Sequence, residues 1–231
     1  MRVEYVIEIE GESKAISFTV DTERAYRLET GERLGTDWTR LTFHQCPNCP
    51  LHEDAFPHCP AALDLREVAD SFADIISYTR VQVSVKTPER EYRKNCDAQT
   101  ALLSLKGLLL ATSACPILAN FRGMARHHLP FASLEETIFR TTSAYLLRQY
   151  FLHQDGQPVD WSLKGLEQLY EEVTEVNFSL KQRVDAASRE DANINAISAL
   201  FAISSFVSFG LAHELADMKP LFVPSAPLNH P

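Results

Sequence analysis

At 231 residues, with 45% apolar and 23% charged side chains, the chain has the composition of a globular protein able to bury a core without covalent staples. A net charge of −9 argues against nucleic acid or an anionic membrane as a general partner, because an acidic surface repels phosphate. Five cysteines, an odd number, argue against a disulfide framework, and the start Met-Arg-Val-Glu-Tyr-Val-Ile-Glu lacks the apolar stretch of a signal peptide, so a cytoplasmic chain with reduced thiols is expected.

The first elements form a hairpin. Val3, Tyr5, Ile7 and Ile9 alternate along one strand, Ile16, Phe18 and Val20 along a second, and Gly11-Glu12-Ser13 supplies the turn. Leu65, Val68, Ala69, Phe72, Ile75 and Ile76 then recur at helical spacing, which predicts an amphipathic helix over 63–78 packed on the sheet. Its opposite face carries Asp64, Glu67, Asp70 and Asp74, a set that could hold a hard cation but is equally an ordinary solvated face. A third strand reads at Val81, Val83 and Val85, with Thr87-Pro88-Glu89 turning the chain toward Tyr92.

Beyond Asp97 no strand pattern is visible. The apolar run 101–118 is interrupted by Lys106, Gly107 and Pro116, which predicts a buried helix over 102–114 rather than a membrane span. Arg122, Arg126, His127 and His128 make one local basic patch; it could bind an anion, but a solvated linker explains it more simply. Ser133 and Glu136 predict a capping box opening a helix through Tyr145 to Phe151, and Asp155-Gly156-Gln157-Pro158 ends it. Asp160 is positioned to cap the next helix, where Leu166, Leu169, Val173, Val176 and Leu180 follow steps of three and four. Ser188 and Asp191 open a last helix carrying Ile194, Ile197, Phe201, Val207 and Leu211.

Phe201, Phe206, Phe209 and Leu211 are apolar around more than one face. That predicts a helix that is central or covered, either by an unidentified protein partner or by a second copy in a homodimer through the C-terminal helices. The expected class is α+β: a small antiparallel sheet with one packed helix and a Cys/His-rich loop in residues 1–95, an all-helical region 96–218, and a flexible tail 219–231.

The chemically distinctive segment reads His44-Gln-Cys46-Pro-Asn-Cys49-Pro-Leu-His52, followed by His58-Cys59-Pro60. Zinc or an iron–sulfur cluster needs about four S or N donors, and a Cys-x-x-Cys pair delivers two from one turn. Cys46, Cys49, Cys59 and Cys115 are each followed by proline, which restrains the ligand-bearing backbone; Cys96 is not. The expected ligands are therefore Cys46, Cys49, Cys59 and Cys115, with His52 or His58 replacing Cys115 if it lies too far away. The plainer alternative is a proline-rich loop with Cys115 buried as a small hydrophobe.

Cys46-Pro-Asn-Cys49 resembles the Cys-Pro-x-Cys of glutaredoxin-like proteins over those four residues. The resemblance implies a thiol–disulfide oxidoreductase, with Cys46 as nucleophile and Cys49 as resolving thiol. Pro50 and the short segment after it leave no helix to lower the Cys46 pKa, so this reading ranks second. A Cys-Pro haem-regulatory site is a third option. No Gly-rich phosphate loop, Gly-x-Ser-x-Gly or His-Glu-x-x-His is present, and Glu171, Glu172, His213 and Glu214 lack the Glu-x-x-His of di-iron helices. The leading expectation is a metal-binding structural, regulatory or interaction protein.

Overall fold

A computed structural model describes residues 1–13, 15–24 and 35–223. Four antiparallel strands form one sheet in the order β2-β1-β3-β4, namely β1 (Arg2–Ile9), β2 (Ala15–Asp21), β3 (Arg80–Lys86) and β4 (Glu91–Asp97). Alternation sets the register. Tyr5 stands opposite Phe18 and Val85, Ile7 opposite Ile16 and Val83, so one face gathers the apolar side chains. Gly11, at φ +87°, turns the first hairpin, a backbone conformation that strains any residue with a Cβ.

Among the described residues six helices complete the α+β fold: α1 (Pro60–Ser71), α2 (Ala98–Ala111), α3 (Arg122–Arg126), α4 (Leu134–Gln154), α5 (Lys164–Ala187) and α6 (Ala192–Phe222). Helix α2 packs against β3, β4 and α6, with α1 beside it, while α5 and α6 form a long helical hairpin. The larger core runs from Val3 and Ile7 through Leu65, Leu102 and Leu105 to Leu180 and Ile197, and a smaller one gathers Ile138, Leu166, Tyr170, Val207 and Leu211. Fully burying each such side chain contributes roughly 1.5–3 kcal/mol.

Helix α1 is displaced from the expected 63–78. It starts at Pro60, which suits the first helical position, and stops at Ser71. The stop is tertiary in origin: the Ala73 carbonyl accepts the Arg189 and Glu190 amides, the Ile75 carbonyl accepts that of Ala192, and Asp191 accepts the Ser77 amide. Those bonds replace the helical ladder over 73–77. The acidic face is also partly engaged, since Asp64 pairs with Arg24 and Asp74 with Arg189. Helix α2 begins at Ala98, ahead of the expected 102, because the Asp97 carboxylate accepts the Thr100 amide at 2.9 Å.

The capping box at Ser133 and Glu136 is present in both arms. Asp160 serves α5 from outside the helix, accepting the Ser162 and Gly165 amides at 2.8 Å each while Leu163 takes a left-handed conformation. Gly165 is required there, since a Cβ would collide with the Tyr145 hydroxyl. Asp191 stands at the head of α6 but directs its carboxylate to Ser77 and Asn195. Helix α6 continues through Lys219 and Pro220 to Phe222, and 224–231 lie outside the described residues. By length and composition α6 is apolar enough to cross a membrane, although a stripe from Ala196 through Val207 to Leu211 packs into the protein. Phe209 of α6 is 87% exposed.

Candidate metal centre

The thiol-bearing loop is pinned at its neck. Arg40 bridges His58, the Leu41 amide donates to the Pro57 carbonyl at 2.9 Å, and the Cys59 amide donates to the Thr39 carbonyl at 2.8 Å. A 3-10 turn at Asp37–Thr39 leads into this neck. Within the loop, the Cys49 amide closes a turn on the Cys46 carbonyl at 3.0 Å, which holds the Cys-x-x-Cys pair on one bend.

Three side-chain contacts join the loop to α5. Asn48 Nδ2 donates to the Glu172 carbonyl at 3.0 Å, the Cys46 thiol meets the Ser179 hydroxyl, and Arg183 enters beneath the neck. Arg183 is 1% exposed. Its Nη1 donates to the Trp38 and Arg40 carbonyls at 3.0 and 2.7 Å, and its Nη2 to the Leu41 carbonyl at 2.8 Å. Among the described residues no carboxylate pairs with this guanidinium, and its Nε has no acceptor. Desolvating a cation costs several kcal/mol unless an anion or a full set of acceptors compensates.

Cys46, Cys49 and Cys59 lie within electrostatic reach of one another, and Cys115 lies within reach of Cys46 and Cys59. Cys46 senses Cys59 and Cys49, Cys59 senses Cys49, and Cys115 senses Cys59 and Cys46; Arg183 acts on both Cys46 and Cys59. Cys59 is the residue before α1, so its sulfur lies by the Ala61 and Ala62 amides of the first helical turn without a cap hydrogen bond. Cys115 likewise lies by the Ile117 and Leu118 amides where the chain enters the 3-10 turn Leu118–Phe121. Burial dominates the protonation of the free thiols. It pushes Cys46 up to about 11 and Cys115 up to about 12, and it raises Cys59 as well. Cys96 stands apart beside Asp97, Lys94 and Arg80.

The histidines are not drawn into this group. His52 is exposed and accepts the Ala55 and Phe56 amides through its carbonyl, while His58 Nδ1 lies 2.9 Å from Thr39 Oγ1. Among the described residues, no three His, Cys, Asp or Glu side chains form a ready-made site for a single ion. The basic patch divides: Arg126 and His127 are exposed, and His128 turns inward to the Tyr5 hydroxyl at 2.6 Å.

Residues 3–223 match the family described as Domain of unknown function (DUF6901). The chain belongs to that family. In this DUF6901 member the matched span contains all four Cys-Pro thiols and Arg183. No curated protein and no solved structure matches the chain.

The part of the site that local motif reading misses is its α5 wall. Ser179 and Arg183 lie more than a hundred residues beyond the loop and belong to no motif. One signal was available: Arg183 falls three residues after Leu180 on the stripe through Val173 and Val176, so a cation occupies an apolar position.

Proposed function

We propose that this DUF6901 protein binds a thiolate-ligated metal centre, an iron–sulfur cluster in preference to zinc, through Cys46, Cys49, Cys59 and Cys115. The observation that carries the proposal is the buried Arg183 guanidinium, without a carboxylate partner among the described residues, set against Cys46 and Cys59, which with Cys49 and Cys115 are the only four cysteines that precede proline. Four thiolates around a cluster or a Zn²⁺ ion give a net charge of about −2, which compensates a buried cation that otherwise has none. The amides near the Cys59 and Cys115 sulfurs support the same reading, because they lower the thiol pKa and N–H dipoles favour a ligating thiolate over a neutral thiol.

The proline after each of these cysteines favours a cluster, since Cys-Pro recurs at iron–sulfur ligands. Tetrahedral zinc at about 2.3 Å from each sulfur needs all four within ~3.8 Å of one another, and no such single-ion group is assembled among the described residues. A polynuclear cluster spreads the four sulfurs over two or four irons. Four protein ligands leave no open position for a substrate, so the role is structural, regulatory or electron-transferring. A thiol–disulfide role is less well supported: it asks for an exposed Cys46 with a lowered pKa, whereas Cys46 is half-buried and raised.

The test is iron, sulfide and zinc analysis with a visible absorption spectrum on protein purified without oxygen. Iron with sulfide and a brown chromophore, retained in Cys96→Ser and lost in Cys46→Ser, Cys59→Ser and Cys115→Ser, is expected. Zinc alone, lost in the same variants, would keep the thiolate centre and reject the cluster. Protein that stays colourless and metal-free after anaerobic reconstitution would overturn the proposal.

A further inference from the structure

A second site lies away from the thiols, in a cavity of about 360 Å³ between α2, α3, α5 and α6 that is partly open to solvent. Its volume is near the lower end of the roughly 300–1,000 Å³ range of small-molecule pockets. Leu103, Leu118, Phe121, Leu200 and Ile203 make most of its wall apolar. Lys94 of β4 and Arg140 of α4 add two cations to that wall, and no aspartate or glutamate lines it. In a chain carrying 31 acidic against 22 basic residues, this wall reverses the overall charge.

Neither cation is held in an ion pair among the described residues, although the Glu136 carboxylate lies near enough to act on Arg140. Among the described residues no carboxylate lies within ion-pair distance of Lys94 or Arg140. Arg140 Nη2 donates to the Met124 and His127 carbonyls at 2.9 and 3.0 Å, which fixes the side chain without cancelling its charge. Glu136, one turn earlier on α4, directs its carboxylate to the Ser133 amide at 2.7 Å. Lys94 sits over the Phe131 ring, 5.4 Å from its centre. His128 adds a polar group but no charge, because burial, assisted by Arg140, lowers its pKa to about 3. It is held by the Tyr5 hydroxyl, which also bonds Ser104 Oγ at 2.7 Å.

We infer that this cavity binds an amphipathic monocarboxylate of medium-chain fatty-acid type. The carboxylate pairs with Arg140 and Lys94, and the alkyl chain lies among Leu103, Phe121, Leu200 and Ile203. With Nη2 spent on the two carbonyls, Arg140 Nη1 and the Lys94 ammonium supply the charge-assisted hydrogen bonds to the carboxylate. The apolar wall supplies affinity for the tail, and the two cations supply the preference for an acid over an alcohol or an amine.

The test is isothermal titration of the whole chain with decanoate, decanol and decylamine, each below its micellar concentration. Decanoate is expected to bind at least tenfold tighter than decanol, and decylamine more weakly than either. Arg140→Gln should bring decanoate to the level of decanol and leave decanol unchanged. Gly107→Phe should abolish both, since Gly107 lines the cavity and a Cβ there meets only Leu200 Cδ2, at 3.8 Å. Equal binding of decanoate and decanol by the unaltered chain would overturn the inference without recourse to any variant. So would no binding of decanoate, or decanoate binding that survives in a folded Gly107→Phe protein.

Discussion

Replacing Lys106 by methionine should flatten the pH dependence of stability just above neutrality. Lys106 is fully buried, and its Nζ donates to the Asn193 carbonyl at 3.1 Å and to Asn193 Oδ1 at 2.7 Å. Burial lowers its pKa from 10.5 to about 7. The folded chain therefore releases this proton above about pH 7, whereas the unfolded chain keeps it until about pH 10.5. Between those values the unfolded state binds more protons, so stability rises with pH. At ~1.4 kcal/mol per tenfold, the penalty of the buried charge is roughly 5 kcal/mol below pH 7, and about 2 kcal/mol of it is recovered between about pH 6.5 and 8.5. Urea unfolding followed by circular dichroism, in reductant, should give that rise for the natural chain and almost none for Lys106→Met. An equal rise in both proteins, or a fall in the natural chain, would refute the reasoning.

Three further outcomes follow from the packing. Gly107→Ala should stabilise the chain by about 0.5–1 kcal/mol in the same urea assay, because α2 gains a better helix former and the new methyl meets Leu200 at 3.8 Å. Ser133→Ala should cost about 1 kcal/mol, seen as a lower thermal midpoint, by removing the acceptor of the Glu136 amide at the head of α4. Arg183→Met should cost about 3 kcal/mol, since the Trp38, Arg40 and Leu41 carbonyls each lose a donor at roughly 1 kcal/mol apiece. Its iron content should fall by at least threefold with the loss of the compensating charge, so thermal melting and metal analysis on one preparation check both effects.

The sheet was legible because Val3, Tyr5, Ile7 and Ile9 alternate without interruption, and a period of two has one reading. The start of α4 was legible because both arms of the Ser133–Glu136 box lie within one turn. The end of α1 was not, because the carbonyls of Ala73 and Ile75 are claimed by residues 189–192, a contact no local pattern encodes. Lys106 illustrates the same limit. In sequence it interrupts an apolar run; in the fold it is wholly buried, answered only by Asn193 on a helix more than eighty residues away.

The four thiols were legible as a set from their shared proline neighbours. Their wall, Ser179 and Arg183 on α5, was not, because it depends on how α5 docks beneath the neck of the loop. The histidines attracted attention by proximity in sequence alone. His58 precedes Cys59 directly, yet its ring is taken by Thr39 while the Cys59 sulfur lies by the first amides of α1.

X-ray absorption at the iron and zinc edges, on protein isolated without oxygen, tests the central claim most directly. The account predicts an iron signal with an all-sulfur first shell at about 2.3 Å and a neighbouring iron beyond it, both lost in Cys59→Ser. Absence of bound metal, or a first shell of oxygen and nitrogen unaffected by Cys59→Ser, would contradict it.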